Sequence, residues 1–239
     1  MVAAGADVEE IASASAGAAE DALLAARGDP ALSHVVWLLT QLPLAARAMD
    51  FEAAAGSVGI KAGTNASLME IITAFGEAVD RAAADHPRRT DLGELARNAA
   101  AESLTSLVGN RLPNLFGSTA SDVRLELGKF ASGDGFAILA RDFFARLARK
   151  HLDYYLSRTV PPNVGPGHRL ATTRDHADFN AALELYCREA SRIIQDFAGG
   201  WFGKTHFSGG ITPEKAGRFA AIALKKISAE MMRRREDDA

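Results

Sequence analysis

The chain has one cysteine, no long apolar run and no recognisable leader, and each shortage excludes a class of protein. Because Cys187 is the single cysteine, an intramolecular disulfide and a cysteine-rich metal site are ruled out. The residue falls within a segment of helical spacing, and we interpret it as a small core or interface residue. The first residues, MVAAGADVEE, lack the basic flank and apolar run of a secretory signal. The longest charge-free stretch, PALSHVVWLLTQLPLAA, carries polar residues and two prolines, which indicates a buried helix. We therefore predict a cytoplasmic protein without a membrane segment.

Strand-like sequence is missing too, because no alternation of β-branched residues extends beyond a few positions. Apolar residues instead recur at three- and four-residue steps, which is helical spacing. We predict an irregular all-α bundle of about seven to eight helices, forming one domain over residues 1–239. The residues that we expect to begin these helices as N-caps are Asp29, Ser67, Asp91, Thr119, Asp134 and Thr212.

Three helices of the predicted bundle can be placed in more detail. Residues 6–26 are Ala-rich and acidic, and we expect them to be helical. A second helix begins at Pro30, and Pro43 should kink or interrupt it before it resumes towards Gly56. A long helix spans 174–198 and should be capped by one of the two glycines directly after it.

Charge is distributed unevenly along the chain. Residues 1–104 contain 7 Lys and Arg against 15 Asp and Glu, a net charge of −8, whereas residues 105–239 have a net charge of +5. We define these as an acidic N-terminal subregion and a basic C-terminal subregion. The two could attract each other, the basic part could meet an acidic partner, or the difference could reflect ordinary surface variation.

The segment AGGWFGKT, residues 198–205, fits the loose form of the phosphate-loop pattern. A phosphate loop needs a strand before it and a helix after it, yet a helical pattern precedes this segment and a Gly- and Pro-containing stretch comes after it. We therefore interpret it as an aromatic loop after the end of a helix. Its predicted interaction residues are Trp201, Phe202, Lys204, His206 and Phe207.

The segment RDFFARLARKHLDYYLSR combines cations with aromatic rings. The aromatic and aliphatic residues recur at core spacing, and the cations fall between them as on a solvated helix face. An alternative is a nucleic-acid helix, which the overall pI of about 6.1 does not favour. The candidate contacts to phosphate or to an acidic partner are Arg141, Arg146, Arg149, Lys150 and Arg158.

Familiar catalytic and metal-binding patterns are missing. The sequence contains no His-Glu-x-x-His, no Gly-x-Ser-x-Gly and no Glu-x-x-His pair, so we predict neither a catalytic residue, a metal site nor a cofactor. An unfamiliar helical enzyme site near His168 and His176, with Lys204 and His206, stays an alternative.

These patterns favour a protein that is not an enzyme. We predict a non-catalytic interaction subunit or adaptor, bound to one or more protein partners in a cytoplasmic multiprotein assembly. The main alternative is an accessory protein that contacts nucleic acid through the basic C-terminal subregion. The enzyme is the remaining alternative.

Overall fold

The computed structural model describes residues 28–84, 91–112, 118–159 and 173–237, and for 156–159, 173–179 and 235–237 it describes the backbone alone. All regular structure in these ranges is α-helical, which confirms the predicted all-α fold. The helices are α1 (Pro30–Ala46), α2 (Phe51–Ser57), α3 (Leu68–Ala84), α4 (Asp91–Gly109), α5 (Ala120–Gly128), α6 (Gly133–Thr159), α7 (Thr173–Ala190), α8 (Arg192–Phe207) and α9 (Pro213–Asp237). None of these helices has the combination of length and hydropathy that crossing a bilayer requires.

Most of the predicted N-caps are confirmed. The Asp29 carboxylate accepts a hydrogen bond from the N–H of Leu32 at 2.9 Å, and Pro30 takes the first helical position. Ser67 and Thr119 each form a reciprocal capping box with the acidic residue three positions later. These bonds satisfy backbone N–H groups that the first helical turn leaves without partners.

Two N-cap predictions were wrong by one or two residues. Asp91 lies inside the first turn of α4, where its negative charge complements the helix dipole. At α6 the capping hydroxyl belongs to Ser132, which accepts a hydrogen bond from the N–H of Gly135 at 3.1 Å, and Asp134 lies in the first turn. Acidic residues are favoured both as caps and within the first turn, so composition alone does not separate the two positions.

Two of the predicted helices are each divided in two. α1 continues through Pro43 to Ala46, and a new helix begins after Asp50, whose carboxylate accepts from the N–H of Ala53 at 2.9 Å. The long helix predicted over 174–198 is interrupted at Ser191 and resumes as α8. The helix is therefore interrupted and resumes towards Gly56 as predicted, but the interruption begins after Ala46 and not at Pro43.

Helix α6 has a central place in the packing. It contacts α4, α7 and α8, while α1 packs against α4 and α9. One hydrophobic cluster links these helices and contains residues from both the acidic and the basic subregion. Its centre is aromatic: the ring of Phe219 lies 4.2 Å from that of Trp201 and 5.7 Å from that of Phe136, measured between centroids. Helices from distant parts of the sequence thus share one core.

Candidate interaction site

The predicted aromatic loop is helical. Residues 192–207 form α8, so the expected end of the preceding helix at Gly199 or Gly200 was wrong. Phe202 is only 2% exposed and stacks on Phe136, and the half-buried Trp201 stacks on Phe219. Two of the five predicted interaction residues therefore fill the core. Both rings pack against aromatic side chains of α6 and α9, which explains why aromatic residues are needed at these positions.

Close packing explains the glycine at the middle of α8. A Cβ atom on Gly199 would lie 2.9 Å from the carbonyl oxygen of Gly133, and a Cβ atom on Gly133 would lie 3.0 Å from that of Gly199. The backbones of α6 and α8 meet at this point because neither residue has a side chain. Tertiary packing thus outweighs the weak helix propensity of glycine. No phosphate-binding loop exists here, since the segment lies within a helix.

The remaining predicted residues lie at the exposed end of α8. Lys204, His206 and Phe207 all face solvent, and Phe207 is 89% exposed. The imidazole of His206 lies between aromatic neighbours, with centroids 6.0 Å from Phe202 and 5.5 Å from Phe207. This end of the helix presents one large apolar side chain beside two polar ones. Binding of a partner at this end of α8 stays a prediction.

Most of the predicted basic contacts are paired within the chain. Arg146 contacts Asp142 at 2.7 Å and Glu102 at 3.6 Å, and Lys150 contacts Glu102 at 2.6 Å. Glu102 belongs to the acidic subregion, so at this point the two subregions attract each other directly. The pairing lowers the net charge that this face of α6 offers to a phosphate backbone.

Arg149 and Arg158 complete the predicted basic row. The guanidinium of Arg149 donates to the carboxylate of Asp153 at 2.5 Å and to the side-chain oxygen of Asn180 at 2.9 Å. It therefore ties α6 to α7. The side chain of Arg158 lies outside the described residues.

Arg141 differs from the rest of this row because it faces a groove. It donates to the neutral side-chain oxygen of Gln195 at 3.0 Å. The groove is open, has a volume of about 230 Å³ and lies where α4, α6, α7 and α8 meet. Its lining residues are Leu107, Ile138, Arg141, Asp142, Ala145, Arg188 and Gln195. We refer to it as the Arg141 groove.

Charge in the Arg141 groove is predominantly positive. Asp142, its one carboxylate, is paired with Arg146. Arg188 has a loose partner in Glu184 at 3.7 Å, and its side chain is 64% exposed. The half-exposed Leu107 and the exposed Ile138 give the groove an apolar wall. Two guanidinium groups beside apolar side chains can bind a carboxylate-bearing segment that also carries an aliphatic residue.

A second cluster of charge borders this groove. Glu189 accepts a hydrogen bond from Arg192 at 3.0 Å, and this bond, with the charges of Arg192, Arg234 and Arg141, lowers the pKa of the Glu189 carboxyl. The carboxyl is therefore ionised at neutral pH. Arginines from α6, α8 and α9 surround it, which extends the positive field beyond the groove.

Sequence patterns could not predict that the groove residues lie close together, because these residues come from four different helices. Arg141 was predicted as a contact to an acidic partner, but Arg188 and Gln195 were missed because they lie on other helices. Helical periodicity could have placed Arg188 on an exposed face. It carries no information about which face of α6 that residue would approach.

The alternative enzyme site cannot be assembled from the described residues. His168 and the side chain of His176 lie outside them, and Lys204 and His206 lie on the exposed part of α8. Among the described residues, no three His, Cys, Asp or Glu side chains are grouped as they would be around a metal ion.

Cys187 is confirmed as a core residue. It has no exposed surface, and burial is the main cause that raises the pKa of its thiol to about 12. Thiol reagents react with the thiolate, so we expect negligible labelling of the native protein at pH 8 and complete labelling in guanidinium chloride. Ellman's reagent measures both. A Phe207→Cys variant should gain one rapidly reacting thiol, and rapid labelling of native Cys187 would contradict the prediction.

Comparison of the chain with protein-family models, curated proteins and solved structures gives no match in any of the three.

Proposed function

We propose that this protein is a non-catalytic interaction subunit, or adaptor, that binds an acidic and partly apolar segment of a protein partner in the Arg141 groove. The observation that supports this is the meeting of Arg141 and Arg188 beside the apolar wall formed by Leu107 and Ile138. The groove complements a segment in which carboxylates alternate with aliphatic residues. The setting that we propose for this protein is a cytoplasmic multiprotein assembly.

The partner chemistry is inferred from the distribution of charge. A nucleic acid would need a continuous basic surface, whereas Arg146, Arg149 and Lys150 are already paired with carboxylates of the chain. A peptide carboxylate needs only one or two guanidinium groups in a fixed place. Local geometry therefore favours an acidic protein segment over a phosphate backbone.

The test measures binding of a defined probe. A fluorescein-labelled peptide of alternating Glu and Leu is titrated with the full chain and with the double variant Arg141→Glu/Arg188→Glu, using fluorescence anisotropy. Loss of two hydrogen bonds to charged groups should weaken binding by at least about tenfold. The control Lys61→Glu/Arg81→Glu has the same change in net charge at exposed positions outside the groove and should bind as the wild type does.

Three outcomes would count against the proposal. The first is an absence of peptide binding by the wild-type chain, and the second is an equal loss of affinity in both double variants. In the third, single-stranded RNA binds and the peptide does not, which would support the nucleic-acid alternative. Affinity purification of the same variants from the native cells then identifies the partner that depends on the groove.

A further inference from the structure

Arg141 differs from the neighbouring cations of α6 in the kind of group that it contacts. The other cations whose side chains are described on this helix each contact a carboxylate at between 2.5 and 2.7 Å, and they are Arg146, Arg149 and Lys150. The guanidinium of Arg141 instead donates to the amide oxygen of Gln195 at 3.0 Å. A carboxylate in that place would neutralise the cation, whereas an amide oxygen accepts the hydrogen bond and leaves the positive charge uncompensated.

The hydrogen bond between Arg141 and Gln195 crosses from α6 to α8. Both residues line the Arg141 groove, so the bond fixes the position of the guanidinium there. The packing of the two helices has other causes, because the backbones of Gly133 and Gly199 meet and aromatic rings of the two helices stack. Gln195 is itself exposed. Its side chain therefore holds a cation in the groove and is not needed to fill the core.

The carboxylates nearest to Arg141 are each held by a different arginine. Asp142 lies in the groove and pairs with Arg146 at 2.7 Å. Glu189 borders the groove and accepts a hydrogen bond from Arg192 at 3.0 Å. A guanidinium has several N–H groups, so the bond to an amide oxygen leaves others that can donate to a carboxylate from outside the chain. The charge of Arg141 is thus directed at a ligand.

We propose that Gln195 is a positioning residue that sets the preference of the Arg141 groove for ligands with a carboxylate. It fixes the guanidinium of Arg141 in the groove without neutralising it. Fixing a flexible side chain before the ligand arrives lowers the entropy cost of binding. A glutamate at position 195 would supply the same hydrogen bond and cancel the charge. The role rests on the proposed function, because it requires that the groove bind an acidic segment.

Replacement of one amide by a carboxylate tests the importance of the missing charge. Gln195→Glu keeps the size of the side chain, and it should weaken binding of the fluorescein-labelled Glu and Leu peptide by at least about fivefold. Binding should also depend less steeply on salt concentration, because Arg141 is then paired within the chain. The matched control Asn65→Asp makes the same chemical change at an exposed position outside the groove and should bind as the wild type does. Equal affinity of Gln195→Glu and the wild type would overturn the proposal.

A double-mutant cycle distinguishes positioning of Arg141 from a general structural effect. Gln195→Met removes the hydrogen bond and adds no charge, so it should weaken peptide binding severalfold in the wild-type chain. In an Arg141→Met background the same substitution should leave the affinity unchanged, because the side chain that Gln195 positions is then absent. Equal losses in the two backgrounds would show that Gln195 does not act through Arg141 and would overturn the proposal.

The same titrations separate failure of this role from failure of the proposed function. If the wild type binds the peptide, Arg141→Glu/Arg188→Glu does not and Gln195→Glu binds normally, the groove is the binding site and the role of Gln195 is overturned. If the wild-type chain does not bind the peptide, both are overturned. Loss of affinity in both Gln195→Glu and the double variant, with Asn65→Asp unchanged, is the result that we expect.

Discussion

The variant Phe219→Ala should lose about 3–5 kcal/mol of its free energy of unfolding, the range expected when a buried phenylalanine is truncated. Phe219 is 1% exposed, and its ring contacts Trp201 and Phe197 on α8 as well as Phe136 and Phe144 on α6. Alanine would leave a cavity where three helices meet. Those helices cannot close it without moving the glycine contact between α6 and α8.

Urea denaturation followed by circular dichroism measures this loss. The matched control is Phe207→Ala, the same substitution at a side chain that is 89% exposed, and its free energy of unfolding should stay within about 0.5 kcal/mol of the wild type. Equal midpoints for the two variants would show that the aromatic cluster is not the stabilising centre. If Phe219→Ala fails to fold, Phe219→Leu gives the same comparison at a smaller loss.

The neighbouring variants Gly199→Ala and Gly200→Ala should change stability in opposite directions. A Cβ atom at position 199 would lie 2.9 Å from the carbonyl oxygen and 3.1 Å from the carbonyl carbon of Gly133. These are backbone atoms, so α6 and α8 must separate. The overpacking should cost about 1–3 kcal/mol.

Position 200 is a control within the same helix turn. A Cβ atom there would have no neighbour within 4 Å, and the residue is exposed. Alanine should therefore stabilise the helix by about 0.5–1 kcal/mol, because it restricts the unfolded chain and favours helix. Thermal and urea unfolding of both variants give the two signs. A gain in stability at position 199 would contradict close contact of the backbones.

The fold could be predicted from the sequence because its signals are local. Apolar residues at three- and four-residue steps predicted the helices, and Asp29, Ser67 and Thr119 marked where helices begin. A capping residue acts on a backbone only two or three positions away. Such a signal remains readable without knowledge of the rest of the fold.

The error at α8 arose where a local signal and a tertiary requirement disagree. A pair of glycines usually indicates the end of a helix, but Gly199 is present because the α6 backbone passes beside it. The sequence gives no sign of the approaching Gly133, which lies on another helix. Local propensity therefore predicted a loop where packing holds a helix.

The candidate site was only partly predictable for a similar reason. Arg141 could be selected as a cation on an exposed helix face, but the pairing of its neighbours with Glu102 and its proximity to Arg188 depend on how helices cross. Periodicity gives the face of each helix and not the helix that it meets. Charges on different helices can be assigned to one site only after the bundle is assembled.

The pairing of α1 with α9 has a consequence for biosynthesis. The ribosome makes α1 first among the described helices, yet the apolar face of α1 is completed only by side chains of α9, which is made last among them. During translation, Ser33 and Trp37 must wait for Gly217 and Ile211, the residues in and just before α9 that they contact. Chaperones that hold exposed apolar segments should therefore associate with the nascent chain until α9 leaves the exit tunnel.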